Sequence, residues 1–323
     1  MILTRPLTPA RTEVALSAEE EIPVLDRIAE WKRIYDTEEN SITKALSRMA
    51  WDLAAFSCLV EVVNQAPVAG GEKQLNGLFL DMAVTGFWNG TMQGIRRLVE
   101  IEPIRGPRSV CSLGGLIADV RAARKRLTRE VYVKDIGRLE YNYLRTAAAY
   151  EAFLDVQTRE GNTSFWVPID LHDEYSRKRH DEFDWLSGVA PGRSTPDDLI
   201  REEVFDMLEA RLQRLSGVIE HVNVEIAHAA TEASRKGRVL EQWGLRDAKQ
   251  AFREISEVAQ VVGNWFCFSG AGTMVPTPQF DQFAHLERPL FTGDTTQLQK
   301  VWKEIDREVQ EWQRVDPRSW MSE

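Results

Sequence analysis

The chain has 323 residues and a net charge of −10, and 43% of its residues are hydrophobic and 28% charged. This composition is typical of a globular protein and excludes collagen-like, coiled-coil and wholly disordered chains. The acidic balance also argues against a general nucleic-acid coat protein, because contacts with phosphates need an excess of Lys and Arg.

Three cysteines are widely spaced and form no Cys-x-x-Cys pair: Cys58, Cys111 and Cys267. They predict buried, reduced thiols in a cytoplasmic protein, rather than a disulfide framework or a zinc site. Residues 1–16 lack the apolar segment of a signal peptide and predict a flexible N-terminal arm. The uncharged stretch 258–280 is long enough to cross a bilayer, but its glycines and prolines break the helix, so no membrane partner is expected.

Apolar side chains that recur every three or four residues predict helices along most of the chain. The first helix follows Ser17, which has capping-box spacing with Glu20, and the second begins at Asn40 or Ser41. Further helical patterns cover 73–99, 110–126, 133–159, 247–262 and 295–312. Close packing against a neighbour is the expected reason for four glycines in the third helix: Gly77, Gly86, Gly90 and Gly94.

The segment 161–194 mixes glycine, proline, histidine and charged residues, and is predicted to be an irregular insertion with a short helix around 173–186. Thr195 and Pro196 then predict a strong helix start, because they combine a hydroxyl N-cap with proline at the first helical position. This helix is expected to run for about ten turns, as far as Gly237. Strand signals are scarce, so the sequence predicts a single all-α domain over 17–323.

Five basic residues follow one another closely in the middle of the chain: Arg121, Arg124, Lys125, Arg126 and Arg129. They suit a local RNA-binding patch. The alternative, which we favour at this stage, is a solvated helix end whose cations interact with the helix dipole.

The segment 214–228 carries the side chains best suited to acid–base chemistry. Arg214, His221 and His228 are seven residues apart, which is nearly two helical turns, so they are expected to line one face. Glu225 lies one turn from both histidines and can orient either ring, whereas Asn223 is offset from this stripe. Histidine exchanges protons near neutral pH and arginine can hold a phosphate, so the set suits a metal-independent ribonuclease.

Two alternatives stand beside this interpretation. Glu225-x-x-His228 is half of a di-iron motif, but the sequence contains no second half, so we expect neither a metal nor another cofactor. An arginine shortly before a histidine also arises by chance, and histidines on a half-buried helix are often hydrogen-bonded core residues. On spacing alone, this structural interpretation is favoured.

Three stretches, taken in order, carry the pattern of a known family. Residues 79–88 lead into Arg96, Arg97 and Leu98, an apolar helix that ends in an Arg-Leu pair, and 109–113 provide a Ser-Leu helix start. Residues 223–228 are similar to an Arg-Asn-x-x-x-Ala-His signature. Over 40–312, the chain thereby resembles the HEPN-like abortive-infection proteins of AbiU type.

The resemblance implies an α-helical bundle, here with additional helices and the 161–194 insertion, that acts as a dimer in prokaryotic defence. Many members of this superfamily cleave RNA with an arginine and a histidine brought together across the dimer. In this chain Asn223 and His228 match the family's Asn and His, but Val222 stands where the family has arginine. Either Arg214 with His221 replaces that arginine, or the chemistry has been lost.

The first hypothesis is therefore a cytoplasmic, HEPN-like endoribonuclease of a defence or stress system. His228 would be the general acid/base, Asn223 its hydrogen-bonding neighbour, and Arg214 with His221 the phosphate-side groups. Its expected partners are a second copy of the chain, an RNA substrate and an antitoxin or defence partner. The alternative is a non-catalytic helical scaffold whose histidine-bearing helix forms a dimer interface, and a bundle with an apolar ligand pocket comes third.

Overall fold

The computed structural model describes 22–142, 169–222 without 191, 243–270, 281–288 without 287, and 295–312, together with the single positions 155 and 159. Contacts between residues divide the chain into two compact units, 1–276 and 277–323. The predicted N-terminal arm, 1–16, lies outside the described residues. The extent of the helical domain, 17–323, stays a prediction.

The described residues form an all-α structure, as predicted. One small β-hairpin was not predicted. In the first unit the helices are α1 (Val24–Lys32), α2 (Ile42–Gln65), α3 (Gly77–Val99), α4 (Leu113–Ala122), α5 (Ile169–Ser187), α6 (Glu202–Gln213), α7 (Ser216–His221) and α8 (Leu245–Val262). Helices α1 and α8 continue into π-helical turns at Arg33–Thr37 and Gly263–Cys267, and a third π-helical turn covers Val131–Ile136. In the second unit the structure describes α9 (Thr295–Trp312).

The turn between α2 and α3 contains two short antiparallel strands, β1 (Val68–Ala69) and β2 (Glu72–Lys73). Gly70 and Gly71 connect them with φ values of 63° and 85°, which glycine adopts without a steric penalty. Local side chains set the neighbouring helix starts: the Ser41 hydroxyl accepts a hydrogen bond from the Lys44 amide, and the Asn76 side chain accepts one from the Phe79 amide.

The core lies where α4 is surrounded by other helices of the first unit. The apolar side chains of α4 are fully buried: Leu113, Leu116, Ile117 and Val120. The buried Asp119 carboxylate accepts a hydrogen bond from the Trp31 indole at 2.6 Å and pairs with Arg105 and Arg27. This carboxylate therefore connects α1, α4 and the segment that precedes α4.

Helices α2 and α3 pack antiparallel against each other. The rings of Phe56 and Phe87 stack with centroids 3.8 Å apart, and nearer the core a Cβ on Gly94 would lie 3.1 Å from the Met49 sulfur. The close packing predicted for the glycines is thus confirmed at Gly94. For Gly77, Gly86 and Gly90 it stays a prediction, because no described atom lies within 4 Å of a Cβ built at these positions.

The expected irregular insertion is, over 169–187, the long helix α5. Phe183 and Leu186 are fully buried in the main core, and the Arg179 side chain is buried beneath Tyr132. Charged residues between the buried positions conceal the helical periodicity of this segment in the sequence. The helix predicted around 173–186 is present but longer than expected, and it contributes to the core.

The helix predicted to begin at Thr195 begins instead at Glu202. Asp198 was expected in the first turn of that helix. Instead its carboxylate accepts hydrogen bonds from the Thr195 amide and hydroxyl, and it forms an ion pair with the buried Arg129 at 2.9 Å. An isolated β-bridge between Thr128 and Leu199 holds the chain extended at the same point. A distant ion pair has thus overridden a local start signal.

The basic run of residues 121–129 stabilises the fold. Arg121 forms ion pairs of 2.7–2.8 Å with three acids of α6, which are Glu202, Asp206 and Glu209. Arg129 is fully buried between Asp184 and Asp198. These carboxylates neutralise both arginines, so the prediction of a solvated helix end is wrong for them, and they are poorly suited to bind RNA phosphates.

Among the described helices, none is both long enough and apolar enough to span a membrane.

Candidate functional site

The helix predicted to carry the catalytic stripe is interrupted. Helix α6 ends at Gln213, Arg214 and Leu215 form a turn, and α7 begins at Ser216. The turn arises because the amides of Arg214 and Leu215 bond carbonyls three residues earlier, which tightens the chain. Arg214 and His221 therefore lie on different elements.

Arg214 faces a cavity of about 610 Å³ at the N-terminal half of α8. Trp243, Asp247 and Gln250 also line this cavity, and Glu254 pairs with Arg214 at 3.7 Å. Two carboxylates beside one arginine leave little net positive charge. The role of Arg214 as a phosphate-side group therefore stays a prediction, with Glu254 as a competing partner.

His221 is half-buried at the end of α7. Its Nδ1 atom is buried and has no hydrogen-bond partner among the described residues. A buried nitrogen without a partner is costly, so it is a candidate to bind a ligand or another part of the chain. The residues expected to act with it, Asn223, Glu225 and His228, lie outside the described residues.

The next residue, Val222, is fully buried and lines a different, somewhat larger groove. This groove has a volume of about 780 Å³ and runs between α2 and α3. Gly90 and Gly94 form part of its wall, and the missing side chain of Gly90 leaves space above the α3 backbone. We call this feature the α2/α3 groove.

Four cationic side chains line the α2/α3 groove: Lys44, Arg48, Arg96 and Arg97. Three acids also line it, and two of them form ion pairs, Asp52 with Arg48 at 3.3 Å and Glu100 with Arg96 at 3.2 Å. Lys44 and Arg97 donate to backbone carbonyl oxygens, which leave their positive charge unneutralised. These oxygens belong to Glu38, at 2.9 Å, and Asn40, at 3.1 Å.

A smaller cavity of about 470 Å³ adjoins Arg97 and contains the Cys111 side chain. Burial raises the pKa of the Cys111 thiol, and the nearby Glu38 carboxylate raises it further. A nucleophilic cysteine needs a lowered pKa, so Cys111 is unsuited to that role. Groups of three or more His, Cys, Asp or Glu side chains arranged to hold a metal do not occur among the described residues, which exclude Glu225 and His228.

The α2/α3 groove could not be predicted from the sequence, because its lining residues come from three separate segments, 39–52, 90–100 and Val222. One signal was present: Lys44 and Arg48 are four residues apart and therefore share a face of α2. In the sequence, Arg96 and Arg97 stand out only through the family resemblance. Their position beside Val222 becomes visible only in three dimensions.

Comparison with family models, with curated proteins and with solved structures finds no match for this chain.

Proposed function

We propose that this chain is a HEPN-like protein of a prokaryotic defence or stress system that binds and cleaves RNA as a homodimer. The observation that carries the proposal is the α2/α3 groove, in which Val222 adjoins four cationic side chains. His221 lies immediately before Val222, and Asn223 and His228 follow it. The groove would bind the phosphate backbone, while the histidines would exchange protons with the 2′-hydroxyl and the leaving oxygen.

The groove also offers a replacement for the arginine that position 222 lacks. A valine cannot hold a phosphate, and Arg214 is engaged by Glu254. Arg97 or Lys44, whose described partners are neutral carbonyls, would stabilise the charge that develops on the phosphate. This assignment needs no metal, since the protein supplies both the cations and the proton carriers.

A second function, the non-catalytic scaffold, is favoured by the burial of α7. Val218 and Val222 are fully buried, and α7 packs on α3, so part of this helix serves the core. In this case the α2/α3 groove would bind an anionic partner without reacting with it. The two functions differ in whether RNA is cut.

A cleavage assay separates them. Purified full-length protein would be incubated with labelled total RNA and tRNA in excess chelator, beside His221→Ala and His228→Ala variants of verified fold. Cleavage that survives chelation and is lost in one variant supports the ribonuclease and identifies its histidine. Cleavage that needs metal, or equal traces for all three proteins, contradicts it.

A further inference from the structure

The distal part of the α2–α3 hairpin exposes more apolar surface than a solvated element normally does. We call residues 51–92 the arm. On α3 its exposed apolar side chains are Leu78, Phe79 and Met82, which are 52%, 51% and 62% accessible. Clustered apolar exposure of this kind marks an interaction surface more often than a surface that stays in water.

Four of the exposed residues of α3 form one stripe. Leu78, Met82, Gly86 and Gly90 follow one another at intervals of four residues, so they lie on one i, i+4 ridge of the helix. No described atom lies within 4 Å of a Cβ on either glycine, so packing within the described chain does not require glycine at these positions. Two large residues are thus followed by two positions that lack side chains.

The order of two large residues followed by two glycines is complementary to the same order on an antiparallel copy of the helix. A two-fold axis at the level of residue 84 sets Met82 opposite the partner's Gly86 and Leu78 opposite the partner's Gly90. Each large side chain then enters the space that a glycine of the other copy leaves open, and the two-fold axis repeats each of these pairings. Such self-complementarity is what a symmetric dimer interface requires.

Charge argues against a lipid surface as the occupant. Between residues 49 and 95 the chain has Lys73 as its one cation, beside Asp52, Glu61, Glu72 and Asp81. Anionic membranes attract segments rich in Lys and Arg, and this arm has the opposite balance. A second copy needs only the apolar stripe, whose four residues carry no charge.

We infer that two copies of this chain associate through the α3 stripe, with the two α3 helices crossing antiparallel at the level of residue 84. The inference rests on the proposed function only in that both involve a homodimer. It assigns the interface to α3 and not to the histidine-bearing α7. Because Gly90 also lines the α2/α3 groove, the partner's Leu78 would close one end of that groove.

The test measures the mass of the full chain by light scattering over a range of concentrations. The wild type is expected to dimerise, and Gly86→Met, which fills the open position, should weaken dimerisation by about tenfold or more. The exchange Met82→Gly/Gly86→Met restores the large–small pairing and should recover dimerisation. Circular dichroism would verify that each variant keeps its helices.

Two glycines supply matched controls, because neither has a described atom within 4 Å of an added Cβ. Gly77→Met lies on α3 outside the stripe and should dimerise normally. Gly217→Met lies on α7, and loss of dimerisation there but not in Gly86→Met would transfer the interface to α7 and overturn the inference. A monomeric wild type, a Gly86→Met dimer of unchanged affinity, or an exchange variant that stays monomeric would also overturn it.

Binding of RNA by the same variants separates this inference from the proposed function. A Gly86→Met monomer that still binds RNA would support the α3 interface and leave the α2/α3 groove intact. A wild-type dimer that binds no RNA, with dimerisation lost in Gly86→Met, would support the interface while removing the proposed function.

Discussion

Arg129 shows how a single buried charge organises distant parts of the chain. Its guanidinium pairs with Asp184 of α5 at 2.6 Å and with Asp198 at 2.9 Å, and it donates to the His180 carbonyl at 3.0 Å. All of these groups lie at least 50 residues from Arg129 in sequence. The arginine therefore ties α5 to the segment before α6.

We expect Arg129→Met to lower the free energy of unfolding by about 3–5 kcal/mol, because it leaves two largely buried carboxylates without a cation. Urea denaturation would measure this loss. Arg253→Met is the matched control: Arg253 forms an exposed pair with Glu257, so its loss should leave the midpoint unchanged. Equal midpoints for the two variants would contradict the role assigned to Arg129.

His180 makes a pH-dependent contribution to stability. Desolvation lowers the pKa of this half-buried ring, and the positive charge of Arg129 lowers it further. The Tyr141 carbonyl, which lies 2.8 Å from Nε2, and the nearby Asp181 and Asp184 oppose the shift. The folded state therefore holds the proton less tightly than the unfolded chain does.

The sign follows from linkage. The stability due to neutral His180 is present above the unfolded pKa of about 6.5 and is lost as the pH falls toward the lower folded pKa. His180→Gln can still donate to the Tyr141 carbonyl but does not titrate. Urea midpoints at pH 7.5 and pH 5 should fall more steeply in the wild type than in this variant, and parallel profiles would count against the shift.

At the scale of elements, Gly263 is required where α8 passes into its π-helical turn. A Cβ there would overlap the Tyr35 hydroxyl and the Ser269 carbonyl. Tyr35 is fully buried and donates to the Ala259 carbonyl at 2.9 Å, so it cannot move aside freely. The glycine is therefore set by the close approach of α1 to α8.

Gly263→Ala should lower the free energy of unfolding by about 1–3 kcal/mol, the usual cost of overpacking. Gly217→Ala is the comparison, because an added Cβ there meets no described atom and alanine favours helix more than glycine does. Thermal melting of both variants would test the difference. A neutral Gly263→Ala would contradict the packing described here.

Local signals and distant contacts explain which elements the sequence could predict. Ser41 and α2 were predictable because a cap and its helix are adjacent in sequence. The start at Thr195 was not, because Arg129, which is 69 residues from Asp198, takes the side chain that the helix would have used. Likewise, the turn at Arg214 separates Arg214 from His221 in the predicted stripe. Hydrophobic periodicity does not predict this turn, because Arg214 itself keeps helical dihedral angles.

At the scale of the whole molecule, a net charge of −10 coexists with a cationic groove. Arg121 and Arg129 of the basic run lie against carboxylates of the fold, whereas Lys44 and Arg97, in the groove that Val222 also lines, donate to neutral carbonyls. Composition argues only against a general nucleic-acid coat protein, because it averages over these environments. The groove follows from the packing of α2 on α3, which the chain's overall charge does not reveal.

The most direct measurement is the affinity of the full chain for labelled single-stranded RNA as a function of salt. Lys44→Gln/Arg48→Gln removes two exposed cations from the groove. Lys249→Gln/Arg253→Gln removes an exposed lysine and arginine, equally spaced, from α8. Both variants change the net charge by the same amount.

The proposed groove predicts that Lys44→Gln/Arg48→Gln weakens binding by about tenfold and reduces the slope of log affinity against log salt by roughly one to two. The α8 control should bind like the wild type. If both variants lose affinity equally, the RNA responds only to overall charge. That result, or a wild type that binds no RNA, would contradict the α2/α3 groove as the functional site.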